Sequence, residues 1–160
     1  MNLLLGVLIG IIGHIIILIC EFPALYKWGV LGVLELHESE CIADKFLHRK
    51  AKNIITLSGM TIHFINGVII GIVFYILLNI FNALNLFILH PLVLSGLIYG
   101  LIIFLITLAP VHKIITNTSI LNHPLGRGPI FSSLIAHLIY GASLGIIIEI
   151  LQSNQLTIFM

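Results

Sequence analysis

Four long apolar stretches divide the chain, at about residues 3–20, 54–81, 87–109 and 129–151, and polar residues collect between them. Each reaches or exceeds the roughly 18–20 residues with which an apolar helix crosses a hydrocarbon layer ~30 Å thick. All are too long for barrel strands, which need only about 9–11 residues. The pattern predicts an all-α polytopic membrane protein: one domain over residues 1–160, four transmembrane helices, and loops at 21–53 and 110–128. The first stretch has no basic residues before it and no small-residue cleavage site before Glu21 and Pro23, so it reads as a retained span. Pro91 falls in the first turn of span three, where its missing N–H costs nothing; Pro110 closes that span and Pro129 opens the next.

The segment 21–53 has a different pattern. Tyr26, Lys27 and Trp28 suit a membrane-water interface. Beyond them, His37, Glu40, Cys41, Asp44 and His48 fall on one helical stripe, with Ile42 and Phe46 off it, which predicts an amphipathic cytoplasmic helix on or near the membrane surface.

Spans two and four share a pattern. His63, Gly67 and Gly71 are spaced as His137, Gly141 and Gly145 are, with Ser58 and Ser132 five residues before each histidine and His48 and His123 fifteen and fourteen before. Residues at i, i+4 and i+8 form one slowly drifting helical stripe, so each copy sets a histidine and two glycines on one face. Gly6 with Gly10, and Gly96 with Gly100, give spans one and three a similar small-residue ridge. The expected architecture is two hairpins related as a parallel repeat about an axis along the membrane normal, with glycine ridges letting the backbones approach closely.

Composition agrees with a membrane setting: 59% of residues are hydrophobic and 8% charged, against roughly 25% charged in soluble proteins. A net charge of +1 without basic-aromatic interleaving argues against a nucleic-acid partner, and leaves membrane lipids, other membrane subunits or a second copy of the chain. Cys20 and Cys41 form no disulfide framework. All seven basic residues, Lys27, Lys45, Arg49, Lys50, Lys52, Lys113 and Arg127, fall in the first and third loops. The positive-inside rule puts those loops in the cytoplasm and both termini outside a cell membrane.

At about 1.5 Å per residue, His14, His63 and His137 lie at nearly one depth in the cytoplasmic half of the bilayer. Ionisable groups there are costly and raise a functional hypothesis. Three imidazoles could hold a divalent metal, two could ligate haem in the glycine groove between spans two and four, or the cluster could handle protons. The structural alternative is neutral histidines bonded to Ser58, Thr61, Asn66, Ser132 or backbone carbonyls. The stripe His37, Glu40, Cys41, Asp44 and His48, joined by His112 and His123, offers a soft divalent metal a second ligand mix, or is simply solvated. Glu149 and His90 form an outer polar pair unless Glu149 snorkels to the interface. Tyr75, Tyr99 and Tyr140 read as packing or interfacial-belt residues rather than redox groups.

The run His137-x-x-Tyr140-Gly141-x-x-x-Gly145 resembles the last span of small four-span prokaryotic membrane proteins of the YagU-like kind. The resemblance implies a four-helix fold in a prokaryotic membrane and transfers no catalytic residues. No nucleophile triad, phosphate loop or dinucleotide fingerprint occurs. The leading expectation is a non-catalytic membrane subunit packed within a larger assembly, such as a membrane metalloenzyme or respiratory complex. The alternatives are a histidine-based haem or metal protein and a small solute or proton transporter.

Overall fold

The computed structural model describes residues 3–47, 51–84, 91–107, 111–119 and 122–153. Its regular elements are all helical: α1 (Leu3–Trp28), α2 (Leu34–Phe46), α3 (Lys52–Ala83), α4 (Leu92–Ile106), α5 (His112–Thr116) and α6 (Gly128–Ser153), with a 3₁₀ turn at Val30–Gly32. Three of them, α1, α3 and α6, are long and apolar enough to cross a membrane. Large apolar side chains stand exposed along all three, among them Leu4, Ile19, Leu57, Ile65 and Ile135, as lipid contact requires. The third apolar stretch is described as α4 over 15 residues. Pro91 is its N-cap, one residue before the helix, while Pro110 and the ends of the stretch lie outside the described residues.

Apolar burial supplies no attraction between helices in lipid, so close backbone approach has to supply dispersion instead. Glycine permits it here. A methyl added to Gly96 would lie 2.0 Å from the Gly141 carbonyl oxygen, and one on Gly145 would lie 2.4 Å from that of Leu92, which seats α4 against α6. A methyl on Gly100 would lie 2.2 Å from the His137 carbonyl oxygen. Across α1 and α3, a methyl on Gly71 would meet the Gly10 Cα at 2.4 Å, and Gly6 faces the Tyr75 ring. The helices thus pair as α1 with α3 and α4 with α6, and α1 joins the pairs by packing on α6 at Gly13, Tyr140 and Leu144. By contrast, α3 and α4 share almost no close backbone contact and meet through side chains: Tyr99 donates to the Ile70 carbonyl oxygen (2.8 Å), and its ring packs on Phe74. An apolar core of Leu5, Ile9, Phe74, Tyr75, Leu92, Leu144 and Ile148 fills the half of the bundle remote from α2.

Two expectations are corrected. The first helix does not end near residue 20 but carries Glu21 and Pro23 within it to Trp28. Nor does α2 lie on the surface: Leu34, Glu35, Leu36, Glu38, Ser39, Glu40 and Ala43 are buried. Gly29, at φ 64° and ψ −160°, turns the chain back where a side chain would be strained. Gly59 then admits the α2 backbone, since a methyl there would lie 2.9 Å from the Glu40 Cα.

Overpacking of this kind costs about 1–3 kcal/mol, so Gly141→Ala should lower stability to chemical unfolding in detergent by that amount. Ile146→Ala, on the exposed side of α6, should change it by no more than about 0.5 kcal/mol.

Candidate functional site

Turning α2 inward carries three glutamates into the bundle. Glu21, from the buried face of α1, adds a further carboxylate. Three of these four meet histidines. His63 Nε2 and Glu21 Oε2 are 3.0 Å apart, His112 Nδ1 and Glu38 Oε1 3.0 Å, and His137 Nδ1 and Glu35 Oε1 3.5 Å. Every side chain in these pairs is at least nine-tenths buried. His137 Nδ1 also donates to the Ser133 carbonyl oxygen at 2.9 Å, which places that ring's proton on Nδ1, while the Ser133 hydroxyl donates to Glu35.

His14 belongs to the same group. Its ring meets that of His63 edge-on, with centroids 4.8 Å apart, and sits against Gly67, where a methyl would lie 1.8 Å from His14 Nδ1. A cavity of about 300 Å³ is lined by His14, Glu35, Glu38, His63, Asn66 and His137, with Ile17, Ile70, Ile103 and Ile106 as apolar walls. The three intramembrane histidines therefore face one space. A second cavity of about 390 Å³, bordered by α1, α2 and α3, is lined by Glu21 and His63 together with Leu18, Leu36 and Met60. His63 lines both. Several buried polar atoms around these spaces have no hydrogen-bond partner, among them His14 Nε2, Glu21 Oε1 and Glu35 Oε2.

Neither the haem nor the three-imidazole metal reading fits this arrangement. The grooves beside the glycines are occupied, by His14 at Gly67, by the Gly10 backbone at Gly71 and by the α4 backbone at Gly141 and Gly145. His63 and His137 spend ring nitrogens on Glu21 and on the Ser133 carbonyl, and among the described residues no group of three His, Cys, Asp or Glu side chains is placed to hold a metal ion. The expected hydroxyl partners are not the ones found either; Thr61, for one, donates to the Leu57 carbonyl.

The stripe predicted on α2 is dispersed. Glu40 accepts from the Thr56 hydroxyl at 2.5 Å and pairs with Lys52 at 2.9 Å, while Asp44 is exposed and His48 lies outside the described residues. His37 approaches Cys41, its ring nitrogens 3.9 and 4.0 Å from the sulfur, but burial and the Glu40 charge push that thiol up, away from the thiolate a metal would need. The His112 ring lies 6.3 Å from that of His37 and 6.2 Å from that of His123. Burial, reinforced by the neighbouring His112, holds His37 and His123 below the ordinary imidazole value. Burial pushes the Glu38 carboxyl up, against the hydrogen bond with His112. At the other end of the molecule Glu149 is half-buried, and His90 lies outside the described residues. Tyr140 donates to the Gly67 carbonyl oxygen at 2.5 Å, beside the cavity.

No family model, curated protein or solved structure matches the chain.

Removing one member of a buried ion pair costs about 3–5 kcal/mol, because it strands the other. Glu21→Leu and His63→Leu should each destabilise by about that much, and the double variant should recover most of the loss; unfolding in detergent measures all three. Glu40 behaves differently. Burial alone would raise its carboxyl, but the Thr56 hydroxyl and the Lys52 ammonium outweigh burial and hold it below 4.5. A depressed carboxyl stabilises the fold above its unfolded value and loses that contribution as pH falls through its folded one. Glu40→Gln should therefore be less stable than the wild type at neutral pH, with the difference closing as pH drops below 4.5, as thermal unfolding across a pH series would record.

Proposed function

We propose that the protein is a proton-handling membrane carrier whose working site is the cavity around His14, His63, His137, Glu35 and Glu38. One observation carries the reading: three imidazole-carboxylate pairs, each almost wholly removed from water, lie within a bundle of apolar helices, and one cavity is lined by His63 of the first, Glu38 of the second and both members of the third. A helical bundle needs no such groups for its stability. Buried ion pairs are often no more stabilising than apolar side chains of similar size, and a protonatable residue in a membrane earns its place through transport, relay or binding. Four spans, with α4 as the third of them, fit the apolar pattern of the sequence. The basic residues of loops one and three put α2 and α5 on the cytoplasmic side.

Imidazole and carboxyl groups exchange protons readily when they share a hydrogen bond, and His14 at the His63 ring edge extends the network across α1. A subunit that served only to pack within a larger assembly would use the glycine seams and the lipid-facing leucines and isoleucines, and would have no use for ionisable groups lining a cavity.

A pH jump applied to proteoliposomes on a solid-supported membrane should displace charge as protons enter the buried network. Glu21→Gln combined with His63→Gln should abolish most of that signal, and Asp44→Asn, at an exposed position, should preserve it. Equal signals from the wild type and the double variant would sink the reading.

A further inference from the structure

The cavity lining is part polar and part apolar. Glu35, Glu38, His14, His63 and His137 supply the first part, and Ile70 of α3 with Ile103 and Ile106 of α4 supply the second. The apolar part thus comes from α3 and α4, two helices that share almost no close backbone contact among the described residues. The ring pair Phe74–Tyr99 and the Tyr99 bond to Ile70 close the seam between them one turn further along. On the cavity side nothing comparable bridges it among the described residues, and Asn66, at the cavity's edge, stands exposed at membrane depth. The other approaches are occupied. The apolar core of Leu5, Ile9, Tyr75 and Leu144 fills the remote half of the bundle, and α2 and α5 cover the opposite end, tied together by His112 on Glu38 and by Lys45 donating to the Ile115 carbonyl oxygen at 3.0 Å.

The polar lining also states what chemistry would fill the cavity. Glu35 is 9% exposed, its Oε1 accepts from Ser133, and its Oε2 has no partner. His14 is 1% exposed and its Nε2 has none. Glu35 and Glu38 line the same space, so two carboxylates face it. A buried carboxylate oxygen without a donor is costly, and the complement of a carboxylate beside an imidazole nitrogen is a positively charged group carrying several hydrogens. From the apolar walls and the side on which they open, we infer that the cavity binds a lipophilic primary amine entering from the bilayer between α3 and α4, its ammonium on Glu35 Oε2 and its hydrocarbon chain along Ile70, Ile103 and Ile106. The volume of about 300 Å³ is at the small end of ligand sites, so the cavity takes the head and the first part of the chain and leaves the remainder in lipid. This inference rests on the carrier reading and names its substrate class.

The test is photolabelling of the whole chain in nanodiscs with a diazirine-bearing long-chain alkylamine, compared with the alcohol and the carboxylate of the same chain. The amine should crosslink at residues 66–70 and 103–107, be competed by unlabelled alkylamine, and label about ten- to a hundredfold less in Glu35→Gln, the loss of one charge-assisted hydrogen bond. Ile103→Trp, a larger side chain on the apolar lining, should reduce labelling as well. Glu149→Gln should label as the wild type does. Three results would overturn the inference: crosslinks spread over the lipid faces of all the helices, carboxylate labelling as strong as the amine's, or unchanged labelling in Glu35→Gln and Ile103→Trp when both are monodisperse. Labelling requires no proton movement, so the two readings fail separately. A chain that labels at the seam yet shows no charge displacement keeps the amine site and loses the carrier; the reverse removes the amine alone.

Discussion

A carboxyl group taken out of water must be met by a donor or remain uncharged, and the half of this molecule that holds α2 is arranged around that requirement. Glu21, Glu35 and Glu38 are each buried and each faces an imidazole from a different helix or loop segment: α3, α6 and α5. The pairs therefore tie α1 to α3, α2 to α6 and α2 to α5, so the same contacts that satisfy the charges fix the position of α2. Helix packing in lipid is tolerant of sliding and rotation because leucine and isoleucine faces are interchangeable with acyl chains. An imidazole opposite a carboxylate is not interchangeable with anything in the bilayer, and it sets the register that apolar contact leaves loose.

The two halves of the bundle solve the packing problem in opposite ways. Away from α2, glycines bring backbones to van der Waals contact and the Leu5, Ile9, Tyr75, Leu144 core leaves little room. Toward α2, larger polar side chains stand between the helices, and the two cavities lined by Glu21, Glu35, Glu38 and His63 lie there. Gly67 stands at the boundary. It occupies the glycine ridge of α3, yet what it admits is the His14 ring and not another backbone.

Much of the helical skeleton was legible in the pattern of apolar runs, since length and composition alone distinguish α1, α3 and α6 from anything a soluble fold would use. The histidines His14, His63 and His137 also stood out, because an imidazole among leucines and isoleucines is costly unless it finds a partner. Their partners did not. Glu35 and Glu38 sit in a segment with Glu40, Asp44 and Lys45, whose average polarity reads as a surface helix, and periodicity cannot say whether the polar face of such a helix turns to water or to buried histidines. Glu21 was hidden by its place just past the first apolar run, outside the span read as residues 3–20. A usable signal was present in the counts: the chain has six acidic residues, and four of them, Glu21, Glu35, Glu38 and Glu40, fall within twenty positions beside a bundle carrying three otherwise unmatched imidazoles. Those acids and imidazoles satisfy one another only if α2 turns inward. The stripe of His37, Glu40, Cys41 and Asp44 was spatially real as helical spacing, but its members turn to different neighbours, because Gly59 lets Glu40 reach Lys52 and Thr56 while Asp44 points outward.

His63 borders both cavities, with Glu21 on one side and His14 on the other. One imidazole therefore belongs to two compartments, and its state of protonation is a thermodynamic variable they hold in common. Two ligands, one in each compartment, that both alter the free energy of that proton change each other's affinity by the same factor, with no displacement of a helix required. The shared wall makes reciprocity between the two spaces a property of a single ring.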